Sequence, residues 1–293
     1  MKLKKYSFIA LVLVTGLTMS CGGGAEMGDA NPTESNDSAL TEDVVVSEED
    51  SDEPEFIIPS ALQISSIFRS SGLVFVDGIC NNPANTANYY SKFEKLLNFG
   101  AYSADLFYCV LNDQSQLSIQ YLKSIRQLAD ETGLSGIFNA GPIFERFEKN
   151  IGKQDSVINI MLEFQEKTDM LIAEQNEEHT AMIIFTGAWV EGMYIGLDAA
   201  RASENEMLRE RLVEQMTILP NLIKGLEIQP NKNAETEGLQ KKLVEVQTYF
   251  DSIEGLKGDD EYSYDISVMS TSHFVKLYDL MAGIRKGITK QGI

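Results

Sequence analysis

The residues best placed to do chemistry lie in AMIIFTGAWVEGMYIGLDAA, residues 181 to 200. Glu191 stands alone in an apolar run, two positions after Trp189, and Asp198 follows seven residues later. At 3.6 residues per turn that spacing returns to roughly the same helix face. Such a carboxylate, with Trp189, Tyr194 and Tyr102 as ring surfaces, can donate a proton, ligate a metal or anchor a cationic ligand. The plainer alternative is a carboxylate satisfied by the chain's own Arg, Lys or backbone donors. Asp105 is a further candidate. Its segment FGAYSADLFY (99 to 108) aligns with TGAWVEGMYI (186 to 195), Gly100 with Gly187 and Tyr102 with Trp189, which leaves Asp105 one position out of step with Glu191.

Other chemistries find less support. His179 and His273 are the only histidines, and neither belongs to a Glu-x-x-His or His-Glu-x-x-His pattern, so the sequence offers no di-iron or zinc-protease site. There is no Gly-x-Ser-x-Gly elbow, and the glycine run CGGG lacks the strand-to-helix setting of a phosphate loop. The acidic run SEEDSDEPE lacks the central glycine of an EF-hand. No cofactor and no metal is therefore expected, and the reading leans away from an enzyme. Cys80 and Cys109 can pair in an oxidising compartment; otherwise Cys109, in LFYCVL, is a small buried hydrophobe.

The elements that must position these residues are helical. Val157, Ile160, Met161, Phe164, Leu171 and Ile172 recur at three- and four-residue spacing, as do Leu239, Leu243, Val246, Phe250 and Ile253, and then Phe274, Leu277, Tyr278, Met281 and Ile284. Pro59 can open a helix that stops at Gly72, Asp155 or Ser156 can cap the helix holding Val157, and Pro220 ends or kinks one that begins near Glu204. LVFVDG and YSYDISVM are the only strand-like runs. About nine helices with short connections predict an all-α fold of antiparallel hairpins. They would form a bundle or a short, loosely tetratricopeptide-like superhelix. The aligned segments, each followed by a polar turn and another amphipathic stretch, suggest a duplicated hairpin. Tyr102, Trp189 and Tyr194 would then line a concave contact groove.

The beginning of the chain reads differently. Lys2, Lys4 and Lys5 precede the apolar run FIALVLVTGLTM, too short at about twelve residues for a helix crossing roughly 30 Å of hydrocarbon. Residues 1 to 20 therefore read as a secretory signal. Residues 22 to 55 carry twelve acidic side chains and no Lys or Arg, the composition of a disordered tether. The remainder, 56 to 293, carries 21 basic and 32 acidic residues. An acidic domain is repelled by phosphate backbones, which speaks against a nucleic-acid partner.

With Ser20 before Cys21 and glycines after it, the start resembles a bacterial lipoprotein precursor, although Leu17 stands four rather than three residues before the cysteine. That resemblance implies lipidation of Cys21 and a membrane partner through the lipid. The segments IPSALQISSIFRSSGL, GAYSADLFYCVLNDQSQLSIQYLKSIRQLADETG, ERFEKNIG and WVEGMYI are similar to all-helical lipoproteins of Gram-negative envelopes over most of residues 56 to 200. This implies helices and a place in the envelope, with an outer-membrane anchor, but no activity. The expectation is a signal peptide (1 to 20), a lipidated tether (21 to 55) and one helical binding or scaffold domain (56 to 293) that meets envelope proteins. A small-ligand protein with a cation or metal pocket at Glu191 is the competing expectation.

Overall fold

The computed structural model describes residues 69 to 139, 142 to 174, 178 to 230, 232 to 258 and 263 to 290. Cys21, the signal-like stretch, the acidic segment and the expected start of a helix at Pro59 lie outside them. Among the described residues there are ten α-helices and no strand.

Helix α1 (Lys92–Leu111) starts at a capping box. The Ser91 hydroxyl accepts from the Glu94 amide at 3.1 Å, and the Glu94 carboxylate accepts from the Ser91 amide at 3.2 Å. Every residue from Leu96 to Leu111 is buried, so this helix is core on all sides. A three-residue turn leads into α2 (Ser115–Thr132), which runs back along α1 and stops at Gly133, whose φ of 91° is the left-handed cap that glycine adopts without strain.

Three peripheral helices follow: α3 (Gly136–Asn139), α4 (Ile143–Asn150) and α5 (Gln154–Glu174). Then comes α6 (Glu178–Ala202), the second central helix, buried without a break from Phe185 to Met193. Next are α7 (Glu206–Gln215), capped by Asn205, and α8 (Leu219–Glu227). A 3₁₀ turn at Met216–Ile218 joins them, and Pro220 falls in the first turn of α8, where its missing N–H costs nothing. The chain closes with α9 (Ala234–Asp251) and α10 (Thr271–Thr289).

Helices α1 and α6 form the centre. A Cβ on Gly100 would lie 1.8 Å from the Ile184 carbonyl oxygen, and one on Gly187 would lie 1.9 Å from that of Leu97. Each glycine thus meets the residue three positions before the other, a local two-fold crossing with backbones in contact. The aligned segments are these two central helices. Around α6 the main neighbours are α1 and α10, while α7 touches it less, so the second copy is a looser hairpin than α1–α2.

The two strand-like runs are not strands. Leu73 to Val76 is extended but has the Tyr108 hydroxyl as its partner, which accepts from the Val76 amide at 2.7 Å and donates to the Val74 carbonyl at 2.9 Å. YSYDISVM makes one bridge, Lys257 to Tyr264, and then a 3₁₀ turn at Ile266–Val268. Among the described residues neither run finds a second strand to complete a ladder.

Candidate functional site: a buried ion pair and its polar surroundings

Glu191 is fully buried at the middle of α6 and faces Arg285 of α10. The contact is bidentate: Arg285 Nε donates to Glu191 Oε2 at 2.9 Å, and Nη2 donates to Oε1 at 2.8 Å. The side chains retain 7 % and 1 % of their exposure. Arg285 Nη2 also donates to the Ile79 carbonyl at 3.0 Å, which ties the loop before α1 into the pair. Burial disfavours the guanidinium's charge, but the Glu191 charge and its hydrogen bonds outweigh that and raise the Arg285 pKa.

The Arg285 guanidinium lies over the Tyr194 ring at 4.3 Å. Tyr194 stacks on Tyr278 with centroids 5.3 Å apart, and Arg201 lies over the far face of that stack, 4.0 Å from the Tyr278 centroid. Arg201 Nε also donates to Asp198 Oδ1 at 3.2 Å. The result is an Arg–Tyr–Tyr–Arg column from the surface to the core, with a carboxylate beside each arginine. Glu191 and Asp198 are therefore both engaged by arginines of the same chain. The register is antiparallel: Glu191 and Tyr194 on α6 meet Arg285 and Tyr278 on α10.

The other predicted residues are placed elsewhere in the same core. Trp189 is completely buried, and its Nε1 donates to the Gln215 carbonyl at 3.3 Å, satisfying the end of α7. Tyr102 is also completely buried; its hydroxyl donates to the Asn82 carbonyl at 2.9 Å and lies 3.3 Å from that of Tyr89. Neither ring offers an exposed face, and only Tyr194 of the three aromatics is half-exposed.

Asp105, on α1, is fully buried. Its Oδ2 accepts from the Asn81 amide at 3.1 Å, while Oδ1 makes no hydrogen bond. Burial first and the Glu191 charge second push its pKa well above the usual carboxylate range, with Arg285 opposing in part. One guanidinium cannot neutralise two carboxylates, so the two compete for Arg285 and the raised Asp105 pKa follows from that shortage as well as from burial. Cys80 lies beside it, its thiol pushed up by the neighbouring Cys109 thiol and by burial.

A second polar layer closes the end of α10. Asn98 Nδ2 donates to the Ile288 carbonyl at 2.9 Å and the Tyr89 hydroxyl to that of Thr289 at 3.2 Å, capping carbonyls the helix leaves open. Asn81 Nδ2 in turn donates to the Tyr89 hydroxyl at 2.9 Å. Burial pushes the Tyr89 pKa up to about 12.

Sequence reasoning did not find Arg285, Arg201, Asn81 or Tyr89, and read Tyr278 only as a core-face position of its helix. One signal was present: Tyr278 and Arg285 are seven apart, the spacing of Glu191 and Asp198. Equal spacing on two helices is meaningful only once the helices are known to be neighbours.

An open groove of about 410 Å³ lies away from the site, lined by Lys123, Arg126, Gln127, Asp130, Glu131 and Phe144. Among the described residues no three His, Cys, Asp or Glu side chains are grouped to hold a metal. His179–Ala202 is long and apolar enough to cross a membrane, with mean hydropathy 1.3, but 83 % of that window is buried inside the fold. No protein-family model, curated protein or solved structure matches the chain.

Proposed function

We propose that this chain is a lipid-anchored helical module of the cell envelope that acts by presenting its outer surface to envelope proteins, as a scaffold or recognition domain. Cys21 carries the lipid, the acidic segment is the tether, and the anchor sits in the outer membrane. The observation that carries the binding-surface reading is the bidentate Glu191–Arg285 pair. A carboxylate that already holds a stacked guanidinium in the core has no capacity left for an external cation. The surplus of acidic over basic residues in the domain points to partners that are not nucleic acids.

Metabolic labelling with palmitate, followed by membrane fractionation, compares the native chain with Cys21→Ala. Label and membrane association confined to the native chain are expected; label on neither removes the anchor. Crosslinking in the intact envelope then identifies the partner. Thermal shifts with alkylamines and divalent metal ions test the competing pocket. No dose-dependent rise is expected, and a saturable one would restore the small-ligand reading.

A further inference from the structure

Cys80 and Cys109 are both buried and free, and are the only two cysteines among the described residues. Two hydrogen bonds fix the backbone around Cys80. The residues on either side of Cys80 are pinned, Ile79 by Arg285 Nη2 at 3.0 Å and Asn81 by Asp105 Oδ2 at 3.1 Å. Cys109 follows Asp105 by four residues on α1, so the two share a face, and it is the face that Asn81 is bound to. Cys109 and Asp105 are accordingly among the neighbours that act on the Cys80 thiol.

We propose that Cys80 and Cys109 are a disulfide site, oxidised by thiol–disulfide exchange to a bond that ties the loop before α1 to the middle of the core. The chemistry balances with a low-molecular-weight disulfide as oxidant. One cysteine thiolate attacks that disulfide and expels a thiolate, which takes up the proton the cysteine lost. The second cysteine thiolate attacks the mixed disulfide, forms the intramolecular S–S bond and expels the second thiolate, again protonated. Two cysteines lose two electrons, and one external disulfide becomes two thiols.

Burial decides when this happens. A buried thiol with a raised pKa is a poor nucleophile, so exchange occurs as the chain folds or opens, and the finished bond is shielded from reductants. That makes it a structural disulfide rather than a catalytic one. Without it the loop is held to α1 by the Tyr108 hydroxyl and the Asp105 carboxylate, and to α10 by the Arg285 bond to the Ile79 carbonyl. The inference rests on side-chain placement and not on the lipoprotein reading; the compartment decides only whether a cell makes the bond.

The test uses the full chain carrying Cys21→Ser, reduced, unfolded and refolded in a buffer of reduced and oxidised glutathione, then alkylated. The expected product is lighter by two hydrogen atoms, resists alkylation and yields one peptide linking Cys80 to Cys109. Urea unfolding with and without a reductant should show the folded-to-unfolded ratio falling roughly 30- to 1,000-fold on reduction. Full alkylation of both thiols, or glutathione adducts with no internal link, overturns the proposal. Cys109→Ser is the control: it should give a glutathione adduct or a free thiol at Cys80, and no gain in stability from oxidation.

Discussion

A buried ion pair is held by the completeness of its hydrogen bonding, because desolvating two charges costs about as much as their attraction returns. Glu191 receives three guanidinium hydrogen bonds, two of them shared by Nε, and Arg285 spends a further one on the Ile79 carbonyl. Glu191→Ala should therefore cost about 3–5 kcal/mol in urea unfolding, since it strands a cation in the core. Glu191→Leu combined with Arg285→Met should cost much less than the sum of the single changes, with the Ile79 carbonyl as the residual loss. A coupling energy near zero in that cycle would show that the two groups do not depend on each other. Asp105 gives a second residue-scale expectation. Its folded pKa is raised above the ordinary value near 3.9. The folded chain then holds more protons than the unfolded chain across that interval, and stability falls as pH rises through it. Asp105→Asn keeps an acceptor for the Asn81 amide and cannot titrate. The variant should match the parent most nearly at about pH 4 and gain on it as pH rises through that interval, by up to about 1.4 kcal/mol per unit. Parallel pH profiles would mean that Asp105 ionises freely in the fold. Of this cluster the sequence displayed Glu191 and Asp198 as carboxylates out of place, but not the partner of Glu191, which lies 94 residues away.

Helices α1 and α6 approach so closely that two α-carbons must lack side chains. Gly100→Ala and Gly187→Ala each place a methyl within 2 Å of a carbonyl oxygen of the other helix. Each should cost about 1–3 kcal/mol or more, by forcing the helices apart. The double variant should cost less than the sum, because the first change already opens the crossing. Gly238→Ala and Gly283→Ala are the contrast: both lie inside helices, and an added Cβ meets nothing within 4 Å. There the lost freedom of the unfolded chain should stabilise by about 0.4–1 kcal/mol. These glycines show where element-level reading of a sequence succeeds and stops. Helical periods placed α5, α9 and α10, and the Gly-Ala-aromatic repeat marked the two central helices. That the two copies cross each other at those glycines depends on a tertiary contact no spacing encodes. The strand readings failed for a related reason. Leu73 to Val76 has strand-like side chains, but what completes its backbone is a tyrosine hydroxyl from α1.

Net charge belongs to the whole molecule. Residues 56 to 293 hold eleven more acidic than basic side chains. Their ion pairs at the surface, such as Lys95–Glu131 at 2.8 Å and Lys257–Asp251 at 3.0 Å, stay partly or largely exposed and are each worth about 0–1 kcal/mol. Repulsion among the remaining carboxylates acts over the Debye length, about 14 Å at 0.05 M salt and about 4 Å at 0.5 M. Raising sodium chloride over that range weakens the few attractions and the more numerous repulsions together, and the surplus of like charge makes repulsion the larger loss. The thermal midpoint should therefore rise with salt by a few degrees, each kcal/mol being worth roughly 2–4 °C for a domain of this size. The Glu191–Arg285 coupling measured by the cycle should stay nearly constant over the same range, because solvent ions do not reach a pair this deeply buried. A falling midpoint would mean that surface ion pairs, and not the acidic surplus, dominate the electrostatics of the fold.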